Sequence, residues 1–376
     1  MALIQYLTRL HFGADTLALL PQELADARCT RPLVVTDRGL RAAGVLDRLL
    51  EALGRPDLPV HEEACGDAQE DEARRAAALY REAGCDGIVG LGGGAALDQA
   101  KATAVLVRDD GPLERHAFFR AGMTPAIGAL PPLLLVGTTA GTGAEVNRGC
   151  VVGLSGGRKT VVVLPAGSIH CAIADPRLTL SLPPRETAAT GIDAISHCIE
   201  TYCSPRFNPP ADAIALDGLA RAVGALETAV AQGQDLAARS QMLMASIEGA
   251  LCFQKGLGAV HALSHPLGAL GAHHGTLNGV LLPAVLDAHG AVLGPRGDAL
   301  RRVLAQAPGA TTDLSAGDAM RALLARLQWP QRLRDVLPVA PDFDAVASLA
   351  CQEPAHQTNP TPWTQADYLR VLQACW

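Results

Sequence analysis

The sequence predicts an α/β N-terminal domain followed by an all-α C-terminal domain. Short apolar runs alternate with amphipathic stretches as far as Ser181-Leu182-Pro183-Pro184, and beyond that point no convincing strand occurs while helical periodicity continues to the end. The length, 376 residues, is also too great for one ordinary domain. The boundary is placed near Pro183, giving domains 1–183 and 184–376.

Pro32-Leu33-Val34-Val35-Thr36 is the first buried strand, and 40–53 reads as one helix after it. The segment 70–83, rich in alanine and arginine, is helical. Gly87-Ile88-Val89-Gly90-Leu91 and Leu133-Leu134-Leu135-Val136 are further strands. Strand–helix alternation implies a parallel sheet with helices on its faces. Val151 to Leu154, a Ser155-Gly156-Gly157 turn and Thr160 to Leu164 read as a hairpin. In the second half, 186–202, 211–230, 236–251 and 260–267 read as helices, with several more to the end. Thr364, with Asp367 three residues on, caps the last of them.

Composition excludes several classes of function. Apolar residues make up 49% and charged residues 18%, enough to build large cores and contrary to disorder. A net charge of -7, no basic block and 3% aromatics argue against nucleic acid. No apolar run approaches the roughly 18 residues of a membrane span, so no membrane partner is expected. The start, Met1-Ala2-Leu3-Ile4-Gln5-Tyr6-Leu7-Thr8-Arg9, does not read as a signal peptide. Ten cysteines without a C-x-x-C pair read as reduced core residues, which makes the cytoplasm the expected compartment.

Leu91 ends a strand, Gly92-Gly93-Gly94 follows at once, and 95–107 reads as a helix. Glycine amides and the helix N-terminus there suit a pyrophosphate. The run is not G-x-G-x-x-G, however, and describes a plain tight turn equally well. Thr138-Thr139-Ala140-Gly141-Thr142-Gly143 also follows a strand. Its hydroxyls and amides could hold phosphate, ribose or carboxamide, or simply cap the next helix. Asp37, at the carboxyl end of the first strand, is placed to accept from adenosine ribose hydroxyls and to repel the extra phosphate of NADP. A turn aspartate is the ordinary alternative, and Arg38 beside it blurs the preference. All three features lie at the strand carboxyl ends, the edge along which α/β sheets bind ligands.

In the helical half Asp193 and His197 lie four apart, on one helix face and within reach of one cation. His261 and His265 repeat that spacing, and His273-His274 follow. Five of the eleven histidines thus fall within one stretch of about 80 residues. A single such histidine is usually a structural side chain; several clustered with an aspartate imply a shared task. One carboxylate and three imidazoles suit iron(II) or zinc, and an open position on the ion would bind and activate an alcohol oxygen.

At these residues a family becomes recognisable. Gly92 to Lys101 (G-G-G-A-A-L-D-Q-A-K) resembles the G-G-G-S-x-x-D-x-A-K signature of the iron-containing (group III) alcohol dehydrogenases. Thr138 to Val146 resembles their second cofactor segment. Gly191 to His197, and Gly258 through His261 and His265 to His274-Gly275, resemble their two metal segments; Asp175-Pro176 and Asn359-Pro360 also fit. The match covers essentially the whole chain. It implies an N-terminal dinucleotide-binding domain, a helical domain and a metal in the cleft between, with Asp193, His197, His261 and His274 as ligands. His265 would be a polar residue near the metal, binding substrate or relaying a proton. Cofactor contacts are expected at Asp37, Gly92, Gly93, Gly94, Asp98, Thr138, Thr139, Thr142 and Lys159, with NAD as cofactor and a homodimer or larger homo-oligomer as the assembly. Departures are Ala95 for the usual serine, Gly137 for a usual proline and a slightly short His265–His274 gap.

Within the family, Tyr6-Leu7-Thr8, 207–212 (F-N-P-P-A-D) and 253–258 (F-Q-K-G-L-G) resemble bacterial 4-hydroxybutyrate dehydrogenases. A hydroxy acid needs a cation for its carboxylate, and Lys255 and Arg148 are the candidates, each equally readable as a solvated surface charge. The expected reaction interconverts 4-hydroxybutyrate and succinate semialdehyde. Maleylacetate reductase and a general short-chain alcohol dehydrogenase are the sibling alternatives. A lyase resembling dehydroquinate synthase would need more basic residues than the helical half offers, and a non-catalytic binder would not need a complete ligand set.

Overall fold

The computed structural model describes all residues except 1–3, 5, 7, 65, 118–126, 157–158 and 312. Two compact units result: one holds 6–139 and 143–181, the other 182–376 together with Ala140–Thr142. Gly157, in the expected hairpin turn, and Leu7, in the N-terminal resemblance, lie outside the described residues.

In the α/β unit the elements run β1 (Leu10–Phe12), α1 (Leu20–Asp26), β2 (Pro32–Val35), α2 (Arg38–Ala42), α3 (Val45–Leu53), β3 (Val60–His61), β4 (Ala68–Gln69), α4 (Glu70–Glu82), β5 (Gly87–Gly92), α5 (Gly94–Arg108), β6 (Leu133–Gly137), β7 (Gly149–Gly153), β8 (Lys159–Val163) and β9 (Ile169–Ala174). Six strands form a parallel sheet in the order β1-β9-β6-β5-β2-β3. Strand residues alternate between its two cores: Leu33, Ile88, Leu133 and Leu135 pack on one face, and Val34, Val89, Leu134 and Val136 on the other. That two-sided burial is why these strands are continuous apolar runs. The hairpin β7–β8 is antiparallel and joins β4 in a small second sheet.

The helix expected over 40–53 is instead two, α2 and α3, because Gly44 between them takes the left-handed conformation at φ 71°. The other unit is helical: α6 (Pro184–Cys203), α7 (Pro209–Ala231), α8 (Leu236–Leu251), α9 (Ala259–Gly268), α10 (His274–His289), α11 (Pro295–Leu304), α12 (Ala316–Arg326), α13 (Phe343–Ala350) and α14 (Gln365–Cys375). It contains no strand among the described residues. Asp367 accepts from the amide and hydroxyl of Thr364 at 2.6 and 2.7 Å, capping α14 as its spacing implies.

One helix bears on the expectation that no segment spans a membrane. The stretch His274–Leu293 is long and apolar enough, by composition, to cross a membrane. It is 67% buried inside the unit, as a core helix is, and its apolar character serves that packing.

Candidate functional site

Three of the clustered histidines converge on Asp193 within the helical unit. α6 carries Asp193 and His197 one turn apart on one face, α9 carries His261, and His274 opens α10. The Nε2 atoms of His197, His261 and His274 lie 3.4, 3.7 and 3.5 Å from one atom, Oδ1 of Asp193. Ligand atoms of Asp193, His261 and His274 all fall within 4.8 Å of one another. The rings of His197 and His261 stack at 4.8 Å. Asp193, His197 and His261 are buried, whereas the His274 side chain is 36% exposed.

These separations are long for hydrogen bonds, but they match ligands that share an ion. Two atoms each about 2.1 Å from a tetrahedral ion stand about 3.4 Å apart. The donor set of Asp193, His261 and His274, one carboxylate oxygen and two imidazole nitrogens, therefore fits a first-row divalent cation, and His197 joins it through the 3.4 Å approach of its Nε2 to Asp193 Oδ1.

Charge follows the geometry. Burial opposes ionisation of Asp193, yet the surrounding imidazoles hold its carboxyl well below the usual range. Burial pushes His197 down to about 4 and His274 well below its ordinary value, so both are neutral, the ligating form, at pH 7. His261 differs: burial opposes its charge, but hydrogen bonds to Asp193 and Glu200 raise it to about 9.

His265 stands beside the cluster. Its ring stacks on His274 at 5.4 Å, and its Nδ1 meets Glu353 Oε2 at 2.8 Å. His273 is the residue before α10, with its Nδ1 3.5 Å from the Thr276 hydroxyl. Three residues that the sequence reading passed over complete the surroundings. Asn278 donates from Nδ2 to Asp193 Oδ1 at 2.8 Å, Glu200 holds His261, and Glu353 holds His265. Asn278 lies four residues past His274, and Glu200 seven past Asp193, so helical period could have found both. Glu353 is 88 residues from its partner and carries no local signal.

In the α/β unit, β2, β5 and β6 bring Asp37, Gly92, Gly93 and Thr138 to one sheet edge. Gly92 pairs in register with Gly137, and the Thr138 N–H donates to the Gly92 carbonyl at 3.0 Å. Gly92 has φ 151°, and a Cβ there would come 2.6 Å from Ala96 Cβ; a Cβ on Gly93 would meet Thr139 at 3.1 Å. No side chain caps α5, which starts at Gly94, so first-turn amides are left for an anionic ligand. Asp37 Oδ1 accepts from the Leu40 N–H at 3.0 Å, capping α2, while its Oδ2 lies toward Gly92. Thr142 falls in the helical unit with Gly141, which packs so closely on Thr190 of α6 that a Cβ would come 2.8 Å from Thr190 Cβ.

Four expected site residues have partners within the fold. Asp98 accepts from Lys101 Nζ and the Val151 N–H, both at 2.9 Å, while the buried Lys101 also donates to the Gly149 carbonyl at 2.7 Å. The pair clamps α5 to β7, so Asp98 is engaged in the fold rather than left for a cofactor. Lys159 is ion-paired with Asp67. Arg148 donates to the Leu164 carbonyl at 3.0 Å and closes the base of the hairpin. Lys255 is fully buried; it pairs with Asp212, which also accepts two bonds from Arg296 at 3.1 and 3.0 Å. A buried ammonium must be paired, and this one is paired with Asp212 with none of its own side chain exposed, so it is not the substrate cation expected.

Near these residues Glu145 is buried, and burial raises its carboxyl to about 7. Its Oε1 has no hydrogen-bond partner among the described residues and occupies the space a side chain on Gly137 would need, 2.7 Å from a Cβ built there.

Comparison with known proteins adds the following. Residues 8–176 match the family described as iron-containing alcohol dehydrogenase, and 187–376 match the C-terminal part of the Fe-containing alcohol dehydrogenase family. The chain is 45% identical to a 4-hydroxybutyrate dehydrogenase of Cupriavidus necator, over 99% of each chain. A 1,3-propanediol oxidoreductase structure superposes with a TM-score of 0.90 at 30% identity, covering 100% of both chains. A sulfoacetaldehyde reductase of Bifidobacterium kashiwanohense, solved with NAD+, superposes at 0.88 with 26% identity, over 100% of this chain and 99% of that one.

Proposed function

The chain belongs to the iron-containing alcohol dehydrogenase family and is an alcohol oxidoreductase, and from that premise we propose that it interconverts 4-hydroxybutyrate and succinate semialdehyde by hydride transfer with NAD. The observation that carries the substrate is the likeness to the C. necator enzyme, which runs almost end to end.

Asp193, His197, His261 and His274 would hold the ion, iron(II) in our reading, with zinc the alternative. When bound, that ion supplies a Lewis acid that favours the alkoxide and polarises the aldehyde. Neutral His197 and His274 offer lone pairs without prior loss of a proton. His265 would carry the alcohol proton: Glu353 engages Nδ1, leaving Nε2 to exchange it. The Gly92–Gly93–Gly94 turn and the uncapped start of α5 would take the NAD pyrophosphate, with Thr138 and Thr139 near it and Asp37 at the adenosine ribose. Of the two cations considered for the substrate carboxylate, only Arg148 stays in the proposal, since Lys255 is consumed by Asp212.

The test is NADH formation from 4-hydroxybutyrate and from 1-butanol, with iron(II) and zinc supplied separately. The hydroxy acid should win in kcat/KM by about tenfold or more, the scale of one charge-assisted hydrogen bond. Equal efficiency on butanol would leave a general alcohol dehydrogenase, and turnover of maleylacetate alone would leave the sibling reductase.

A further inference from the structure

We infer that Glu200 is a positioning residue for the metal, setting the affinity of the site through His261; the inference rests on the reading that Asp193, His197, His261 and His274 hold an ion. Glu200 lies on α6, two turns past Asp193, and is 5% exposed. Its two oxygens serve two different groups at the start of one helix. Oε1 accepts from the Val260 N–H at 2.7 Å, and Oε2 meets His261 Nδ1 at 2.5 Å.

α9 begins after Gly258, which has no side chain to cap it. The cap comes from elsewhere in the unit: the Ala259 N–H donates to Asn359 Oδ1 at 3.1 Å, and the Val260 N–H to Glu200. Gly258 permits that approach, because a Cβ there would come 2.8 Å from Glu200 Oε1 and 3.2 Å from Asn359 Oδ1. One carboxylate thus fixes the first turn of α9 and the ring rotation of the histidine on it.

The same contact divides the ring's two nitrogens. Nδ1 is taken up by Glu200 Oε2 at 2.5 Å, and Nε2, the atom that faces Asp193 Oδ1, is left for an ion. The charge on Glu200 also makes that imidazole a better donor, as carboxylate partners of ligating histidines do. The partner of His274 is weaker, a Ser264 hydroxyl 3.3 Å from Nδ1. Glu200 is therefore the strongest second partner seen at the ligand set, and its loss should cost metal affinity on the scale such partners supply, about 10- to 100-fold.

The experiment measures zinc(II) and cobalt(II) affinity of the metal-stripped full-length chain by competition with a chromophoric chelator, for wild type, Glu200→Gln and Glu200→Ala. The cobalt absorption spectrum and the thermal unfolding of the stripped proteins are recorded alongside. Glu200→Gln keeps the shape but only one acceptor oxygen, so the charge and one of the two bonds, to Val260 or to His261, are lost; it should bind about tenfold more weakly. Glu200→Ala should lose about 100-fold and shift the cobalt spectrum, since His261 is no longer oriented. If Glu200→Ala does not fold, the isosteric variant carries the test alone. Affinities equal to wild type overturn the inference, including the case where only the melting temperature of the stripped protein falls, which is what mere capping of α9 would give. If wild type itself binds neither ion, the metal reading of the cluster is what fails.

Discussion

The histidine cluster and the glycine turn use different materials for binding. In the cluster every feature is a side chain, and side chains hold it in place: three Nε2 atoms face one carboxylate oxygen, with Glu200 and Ser264 behind two of the rings and Asn278 Nδ2 bonded to the same oxygen. In the turn the useful groups are backbone amides, and strand pairing holds them: Gly92 is in register with Gly137, and Thr138 is bonded to the Gly92 carbonyl. The cluster should therefore fail when residue identity changes while the backbone stands. The turn should fail when bulk is added, whatever the chemistry of the added atoms.

The largest effect tests the first half of that contrast. Asp193→Ala removes the atom on which all three imidazoles converge. If the cluster holds the ion, several kcal/mol of charge stabilisation go with it, so kcat/KM should fall about a thousandfold and metal content should drop, with the far-ultraviolet circular dichroism unchanged. Activity near wild type with metal retained would show that the cluster is structural.

The second tests the turn. Gly92→Ala places a methyl 2.6 Å from Ala96 Cβ at a φ that L-residues rarely adopt. Denaturant unfolding should show a loss of about 1–3 kcal/mol, and KM for NAD should rise more than KM for the alcohol. An unchanged NAD affinity in a folded variant would remove the turn from the nucleotide site.

The smallest effect asks whether a side chain matters at all on the backbone-built side. Asp37→Asn keeps the cap of α2, since the two residues cap helices about equally well, but it removes the charge. Thermal stability should stay near wild type while the NADP-to-NAD ratio of kcat/KM rises by roughly tenfold, the scale of one charge-assisted hydrogen bond. If the ratio does not move, Asp37 is a cap and nothing more.

The same contrast explains what was legible in the sequence. The cluster could be read because its chemistry is written in residue types at a helical spacing: Asp193 with His197, then His261 with His265. The turn was half legible, because three glycines announce flexibility but not a ligand. The long buried strands β2, β5 and β6 were legible as apolar runs. β1 and the two-residue strands β3 and β4 are too short to show a period. β9 is interrupted by His170, although it pairs on both sides in the sheet. Lys255 misled for a physical reason: a lysine in a polar-looking segment reads as solvated, and only the fold shows that it is buried and meets Asp212, 43 residues upstream. Glu353 was out of reach because nothing local ties residue 353 to residue 265.

The carboxyl of Glu145 has a consequence for the chain as a whole. In the folded protein it keeps its proton up to about pH 7; in an unfolded chain a glutamate gives it up near about 4.3. Between those values the folded state carries one more proton than the unfolded state, so unfolding acidifies the medium. The stability this group lends is fully present below the lower value, drains away as the pH climbs to the upper one, and is spent beyond it. For most carboxylates acid is the threat, but for this one it is base: the inner end of β6 is a place where hydroxide acts as a denaturant.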